Sequence, residues 1–366
     1  MSGTADRDDG LTSAGVILET VAEGFYSPRD LTYVRPQKRR LTEYEAVICN
    51  TQPDLGQFEV GGWLALRPDG SGIHRPESTA LSYPNWFEYR DPSGVWQRPY
   101  VKQLAQFERS VSAVMTGAQL NGAFSDISPI WLELLAHHYE AFASFEWGMF
   151  RSHAFVAREA LSDTLTMASV FAAQDRLRHQ QNIALYSLSL HEHIADYEEG
   201  LGLANWLDDP ICQPARRLVE RVMSSTDWCE VLLMTNLIIE PLYTALVGSE
   251  FFRRLAPLHG DVVTTVIEMT AEAARARNRA MAMALVKMVS ADSDRVGRTV
   301  SNTRNREVMQ SWVESWYPMA IAAASAFLPL FKTAAVNGDF GQRALDRALA
   351  DTRDVLDQVG LTVPGK

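Results

Sequence analysis

One helix constrains this chain more than any other stretch. From Trp131 to Asp163 the sequence reads WLELLAHHYEAFASFEWGMFRSHAFVAREALSD, and apolar or aromatic residues return at Trp131, Leu135, Phe142, Phe145, Met149 and Val156. Those intervals are threes, fours or their sums, the mark of a helix with one continuous buried stripe. At about 100° per residue, Glu146 falls on that stripe between Phe142 and Met149. A carboxylate buried there is costly unless something pairs with it.

In bundles that hold a carboxylate-bridged metal pair, such a position carries a ligand, and the motif is Glu-x-x-His on one helix. Here the stretch is Glu146-Trp147-Gly148-Met149, so the Glu is present and the His is not. No Glu or Asp anywhere in the chain is followed three residues later by His. A bridged pair needs four carboxylates and two histidines from four helices, and that spacing is missing. Glu133 and His137 share a helix face at an i+4 step, which is not the ligand spacing. His138 falls on the apolar stripe and reads as a hydrogen-bonded core residue. His191-Glu192-His193 looks like a cluster on paper, but residues two apart on a helix point roughly 200° from each other, so an exposed polar face is the reading. Asp175-Arg176-Leu177-Arg178-His179, Glu250 to Arg254, and Glu272 with Arg275 read as ordinary intrahelical ion pairs. The run AARARNRAMAMALVKM from Ala273 to Met288 is a close helix-packing face, in the core or at a subunit boundary. Glycine-rich nucleotide loops and a GxSxG elbow are absent, and no nucleophile with a partnered base stands out. No catalytic, cofactor-binding or metal-ligating residue is assigned.

Length and composition narrow the rest. The 366 residues suffice for a large core or two domains, and nine Trp, fifteen Phe and eleven Tyr suit extensive burial. A net charge of −11 argues against nucleic acid as a partner. Cys49, Cys212 and Cys229 are odd in number and far apart, which fits a reduced, cytoplasmic protein. The polar, acidic N-terminus MSGTADRDDG has no signal-peptide core, and no membrane span is expected.

Residues 1–40 read as an arm ending in a basic cluster, Arg35 to Arg40, most simply a solvated turn. Residues 41–100 are irregular yet rich in aromatics, too irregular for an ordinary loop and too aromatic for disorder. An extended segment lying on a surface, its own or another subunit's, satisfies both. The expected organisation is an extended N-terminal arm and aromatic segment over 1–100 and a helical domain over 101–366. Helical patterns cover 101–118, 129–160, 162–197, 213–224, 226–256, 260–290, 303–333 and 341–358, and the long 162–197 stretch has room for a break near Gln180. Asp126 or Ser128 is placed to cap before Pro129, and Asp261 to cap the helix after Gly260. The fold class is all-α, a large bundle.

Several segments together carry a family resemblance. They are Trp86-Phe87 with Arg90-Asp91-Pro92, Trp96 and Pro99-Tyr100-Val101; Glu146 to Phe150 leading to Ala157-Arg158-Glu159-Ala160-Leu161-Ser162-Asp163; Glu250 to Pro257 with Gly260-Asp261; and Arg304, Trp312, Trp316 and Pro318. In order and spacing, from about residue 40 to 330, they resemble the small (beta) subunit of the hydroxylase component of bacterial multicomponent monooxygenases. That family includes the soluble methane, propane, alkene, phenol and toluene enzymes. The resemblance implies a ferritin-like bundle, akin to the ribonucleotide-reductase small subunit, that has lost its diiron ligands. Glu146 then stands at a ligand position with Met149 in the place of the His, and Glu240 and Glu268 are candidate remnants on later helices. It implies a non-catalytic subunit that braces a catalytic alpha subunit in a dimer of heterodimers, sometimes with a gamma chain. The diiron centre is expected in the alpha subunit. NADH, FAD and a [2Fe-2S] cluster belong to a separate reductase, and a coupling protein regulates the complex. The substrate is a small hydrocarbon, with propane favoured. The alternatives are a self-contained ferritin-like diiron protein and an unrelated helical scaffold.

Overall fold

A computed structural model describes residues 36–38, 40–48, 76–291, 293–295, 298–300, 302–334 and 338–365. Residues 1–35 of the arm expected over 1–40, and most of the irregular segment before Pro76, lie outside the described residues, as does Cys49. The chain divides into two compact units, Met1–Ile73 and His74–Lys366. In the first, helix α1 (Glu43–Ile48) begins with a capping box. The Thr42 hydroxyl accepts from the Glu45 amide at 3.1 Å, and the Glu45 carboxylate accepts from the Thr42 amide at 3.0 Å.

The second unit is the helical body. Its elements are α2 (Gln97–Leu120); α3, built from Pro129–Leu134, a π-helical turn Leu135–Tyr139 and Glu140–Glu159; α4 (Asp163–His193); α5 (Leu201–Asp208); and α6 (Gln213–Ser224). There follow α7, which runs from an α-helical start Trp228–Met234 into a π-helix Thr235–Arg253; α8 (Val263–Ser290); strands β1 (Ser293–Arg295) and β2 (Arg298–Val300); α9 (Thr303–Phe327); α10 (Pro329–Thr333); and α11 (Phe340–Asp357). The strands form only a small antiparallel ribbon, with Ser293 opposite Val300. The expected all-α bundle is what forms, with three differences from the sequence reading. Helix α4 runs 31 residues without a break at Gln180. Helix α5 was not foreseen. A π-helix of 19 residues is far longer than the single turns in which π geometry usually occurs. It contains Pro241, whose missing N–H would normally interrupt an α-helix.

Helix α7 is the axle of the body. Trp228–His259 is long and apolar enough to cross a membrane, but 94% of its most apolar window is buried inside the protein. Helices α8, α9 and α11 pack along it, while α3 and α4 form an antiparallel pair on the other side of the ion network described below. The start signal at Asp261 works as the sequence suggests. Asp261 accepts from the amides of Val263 and Thr264 at 2.9 and 3.0 Å, and also from Trp131 Nε1 and the Tyr186 hydroxyl, both at 2.9 Å. One carboxylate thus caps α8 and ties it to α3 and α4. Ser128 precedes Pro129 as expected, but its hydroxyl meets the His259 ring at 2.8 Å instead of capping α3.

The aromatic segment that leads into the first turn of α2 packs on the chain's own helices. Trp86 lies edge-on to Trp228 with ring centres 5.2 Å apart. The Tyr89 hydroxyl donates to the Met281 carbonyl at 3.0 Å. Tyr100 stacks on Phe171 at 4.3 Å. Of the two surfaces the sequence left open for this stretch, these rings occupy the internal one.

Candidate functional site: a buried ion network between four helices

Glu146 is completely buried on α3, as its place on the apolar stripe requires. Its partner comes from α4. Arg176 Nη1 lies 3.2 and 3.1 Å from the two Glu146 carboxylate oxygens, and Arg176 Nη2 donates to Oε1 of Glu240 on α7. One turn along α4, His179 places Nε2 2.7 Å from Oε1 of Glu268 on α8 and Nδ1 3.3 Å from Oε1 of Glu146. Arg275, also on α8, reaches Glu268 Oε2 at 3.4 Å and Glu240 Oε2 at 3.8 Å. The Tyr139 hydroxyl, from the π-turn of α3, donates to Glu268 Oε1 at 3.0 Å. None of the six charged side chains is more than 4% exposed.

Local features make room for this cluster. A Cβ at Gly248 in the π-helix would stand 2.5 Å from Glu268 Oε2, so the missing side chain is what admits the carboxylate. Phe142 presents its edge to the His179 ring at 5.7 Å. His153, two turns beyond Glu146, is fully buried. Burial pushes its pKa down to about 3, with Arg176 adding to the effect, so the ring is neutral.

The electrostatics are those of a closed set. Burial alone would raise the Glu146 pKa, but Arg176 and His179 outweigh it and hold the carboxyl at about 2. Glu268 is likewise lowered, against its burial, by His179 and Arg275. Burial opposes the charge on His179, yet Glu268 and Glu146 raise its pKa above the ordinary value. With His179 protonated, three carboxylates face two guanidinium groups and one imidazolium, and the cluster is neutral. A charged cluster this deep survives only when every member is compensated.

The geometry revises several sequence expectations. Asp175 to His179 is not a set of intrahelical pairs, because α4 is buried on most of its circumference here and each charge crosses to another helix. Asp175 pairs with Arg277 and accepts from the Tyr100 hydroxyl at 3.1 Å. Arg178 donates to Thr270 at 3.0 Å. Glu272 pairs with Arg253 on α7, not with Arg275. Glu250 does make its i+4 pair with Arg254, at 2.7 Å, and adds Arg347 of α11. The register of the Glu-x-x-His comparison also moves. Glu146 is a lone carboxylate, Met149 is simple core, and the pair with i,i+3 spacing that faces the cluster is Arg176 and His179. Glu240 and Glu268, named as remnants, do converge on the same point. His138 is only half-buried, its Nδ1 has no hydrogen-bond partner, and burial lowers its pKa to about 4. His137 meets Asn205 at 3.2 Å, and His191 and His193 meet backbone carbonyls at 3.0 and 2.8 Å, so none of the three joins the network.

A bridged metal pair does not fit these residues. It would need four carboxylates and two histidines. The cluster offers three and one, and guanidinium groups fill the space between them. Among the described residues no group of three or more His, Cys, Asp or Glu is arranged to hold an ion.

Comparison with known proteins places this architecture. Residues 63–293 match the model of the methane/phenol/alkene hydroxylase family. The hydroxylase small subunit of propane 2-monooxygenase from Rhodococcus jostii (strain RHA1) is 27% identical over 92% of this chain and 90% of its own length. The methane monooxygenase component A beta chain from Methylococcus capsulatus (strain ATCC 33009 / NCIMB 11132 / Bath) is 30% identical over 90% of this chain and 87% of its own. In structure, a chain of phenol hydroxylase from Pseudomonas sp. OX1 superposes with a TM-score of 0.73 at 20% identity, covering 90% of this chain and 93% of that one, which shows the shared ferritin-like helical fold. With the family model spanning most of the bundle and beta chains matched along most of their length, this chain belongs to the methane/phenol/alkene hydroxylase family, among the small (beta) subunits of its hydroxylase components.

Proposed function

We propose that this chain is a non-catalytic beta subunit that braces the catalytic alpha subunit of a cytoplasmic, NADH-dependent monooxygenase acting on small hydrocarbons, with propane favoured. The observation that supports the reading is the charge pairing at the centre of the bundle: two guanidinium groups and an imidazole stand among the three buried carboxylates of Glu146, Glu240 and Glu268. Oxygen activation then belongs to the alpha subunit's diiron centre. A reductase with FAD and [2Fe-2S] supplies electrons, and a coupling protein acts on the assembled complex. The propane preference rests on the relatives named propane 2-monooxygenase, which match over 92% of the chain. The physical task left to this chain is rigid support. A bundle whose centre is locked by interhelical ion pairs gives a partner a fixed surface.

Co-expression with the large hydroxylase subunit tests the reading. The expected product is a stable complex with about two irons per alpha–beta pair. Glu146→Gln in this chain should leave that iron content unchanged. Iron falling in proportion to the variant's occupancy, or about two irons on this chain purified alone, would overturn the proposal.

A further inference from the structure

We infer that His153, Ser169, Asn236 and Asn278 form a buried hydration site, a second polar layer of the bundle whose ligand is internal water. The layer stands apart from the ion network: His153 lies two turns, about 10 Å, along α3 from Glu146.

The interhelical contacts fix the level of each helix. Two turns on from Glu146 along α3 is His153, and two turns back from its partner Arg176 along α4 is Ser169. The two helices are antiparallel, so these residues stand at the same level. His179 is as far from Ser169 on α4 as its partner Glu268 is from Asn278 on α8. One turn back from Glu240 on α7 is Asn236, and one turn on from Arg275, which Glu240 faces, is again Asn278. Each of the four helices thus contributes one polar residue to a single layer.

None of these four side chains is more than 2% exposed. Each keeps a buried polar atom with no partner in the protein: both ring nitrogens of His153, Oγ of Ser169, Oδ1 of Asn236 and Nδ2 of Asn278. The Asn236 amide is not free to turn, because its Nδ2 donates to the Leu232 carbonyl at 2.8 Å, which leaves Oδ1 as the end to be satisfied. Buried donors and acceptors are paired in folded proteins because leaving one unmade costs its full desolvation.

The donor and acceptor balance selects water. Burial, with Arg176 adding to it, keeps the His153 ring neutral, so it offers one donor and one acceptor. Asn278 Nδ2 donates, Asn236 Oδ1 accepts, and the Ser169 hydroxyl does either. Water has donors and acceptors in equal number and typically makes about three hydrogen bonds when buried. An ion does not suit this layer. Its four side chains carry no charge, and the neighbouring carboxylates are already balanced by Arg176, Arg275 and protonated His179.

A crystal structure of the full-length chain that resolves ordered water tests this directly. Water is expected about 2.7–3.2 Å from His153 and from at least two of the other three groups. Density without water, the same atoms being bonded to each other or packed on apolar groups, overturns the inference. Urea unfolding gives a second readout. His153→Leu and Ser169→Ala should each lower the folding equilibrium constant by about fivefold or more, because each strands the groups that shared the water. Combined, they should cost less than the product of the single losses, the sign of a common bridge. A His153→Leu chain as stable as the wild type overturns the inference, since an imidazole bonded to nothing is no loss. So does a double variant whose losses simply multiply. Should His153→Leu fail to fold, Ser169→Ala alone decides the unfolding arm: a lowered midpoint supports the bridge and an unchanged one overturns it.

Discussion

Replacing Arg176 by methionine removes one cation and keeps most of the side-chain volume. It leaves Glu146 and Glu240 facing each other across a site where every side chain is at most 4% exposed. Breaking a buried pair by deleting one partner typically costs about 3–5 kcal/mol. Arg176 is the largest of the charges that hold the Glu146 carboxyl down at about 2 against its burial, ahead of His179 and Arg275. The pH dependence follows with a definite sign. A lowered folded-state pKa contributes stability that is present above the unfolded value and lost as pH falls, here from about 4.5 down through about 2. Without Arg176 the carboxylates gain by taking up a proton, so the deficit of the variant should be largest near neutrality and shrink toward about pH 5. Urea unfolding of wild type and Arg176→Met at both pH values reads the difference directly. A deficit below about 1 kcal/mol at neutral pH, or one that does not shrink on acidification, would refute the argument that this guanidinium neutralises the site.

Two further outcomes concern the same cluster. His179 has a raised folded-state pKa, so the stability it contributes is complete below the ordinary value of 6.5 and is lost as pH rises through the folded one. The thermal midpoint of the wild type should therefore fall on the alkaline side of neutrality, while His179→Gln should start lower and lack that part of the decline. Gly248→Ala puts a Cβ 2.5 Å from Glu268 Oε2 and should destabilise the fold by about 1–3 kcal/mol in urea unfolding, with an unchanged midpoint counting against the close approach.

The bundle was legible because its helices carry long periodic stripes, and Glu146 was legible because it interrupts one of them. Its partners are masked by local charge density. Asp175-Arg176-Leu177-Arg178-His179 reads as a run of intrahelical ion pairs, yet Ser169, Ala172, Arg176, His179, Ile183, Tyr186 and Leu190 follow one another by threes and fours and are all at most 2% exposed. The same periodicity that puts Glu146 in the core puts Arg176 and His179 there too. Other features leave no local trace. A π-helix differs from an α-helix by one residue in its hydrogen-bond step, and nothing in Thr235–Arg253 announces that choice except Pro241, which usually signals a break. Helix α5 is masked in the sequence by Gly200 and Gly202, residues that more often end a helix than start one. In the structure Gly202 packs against α3, where a Cβ would stand 2.2 Å from the Glu140 Cβ.

Why an ionic centre persists where an apolar one would serve follows from how its members depend on each other. Apolar residues of matching volume often equal or exceed a buried ion pair in stability. Reaching that state from this one, however, requires the simultaneous loss of six charges on four helices. Any single step strands at least one carboxylate or cation in a medium that cannot solvate it. Glu146 loses Arg176 but keeps His179; Glu268 loses His179 but keeps Arg275; Glu240 has Arg176 and only a distant Arg275. Arg176 is thus the member whose removal leaves the largest uncompensated charge. The pairing that makes this chain unsuited to a bridged metal pair is the same pairing that ties α3, α4, α7 and α8 to one another.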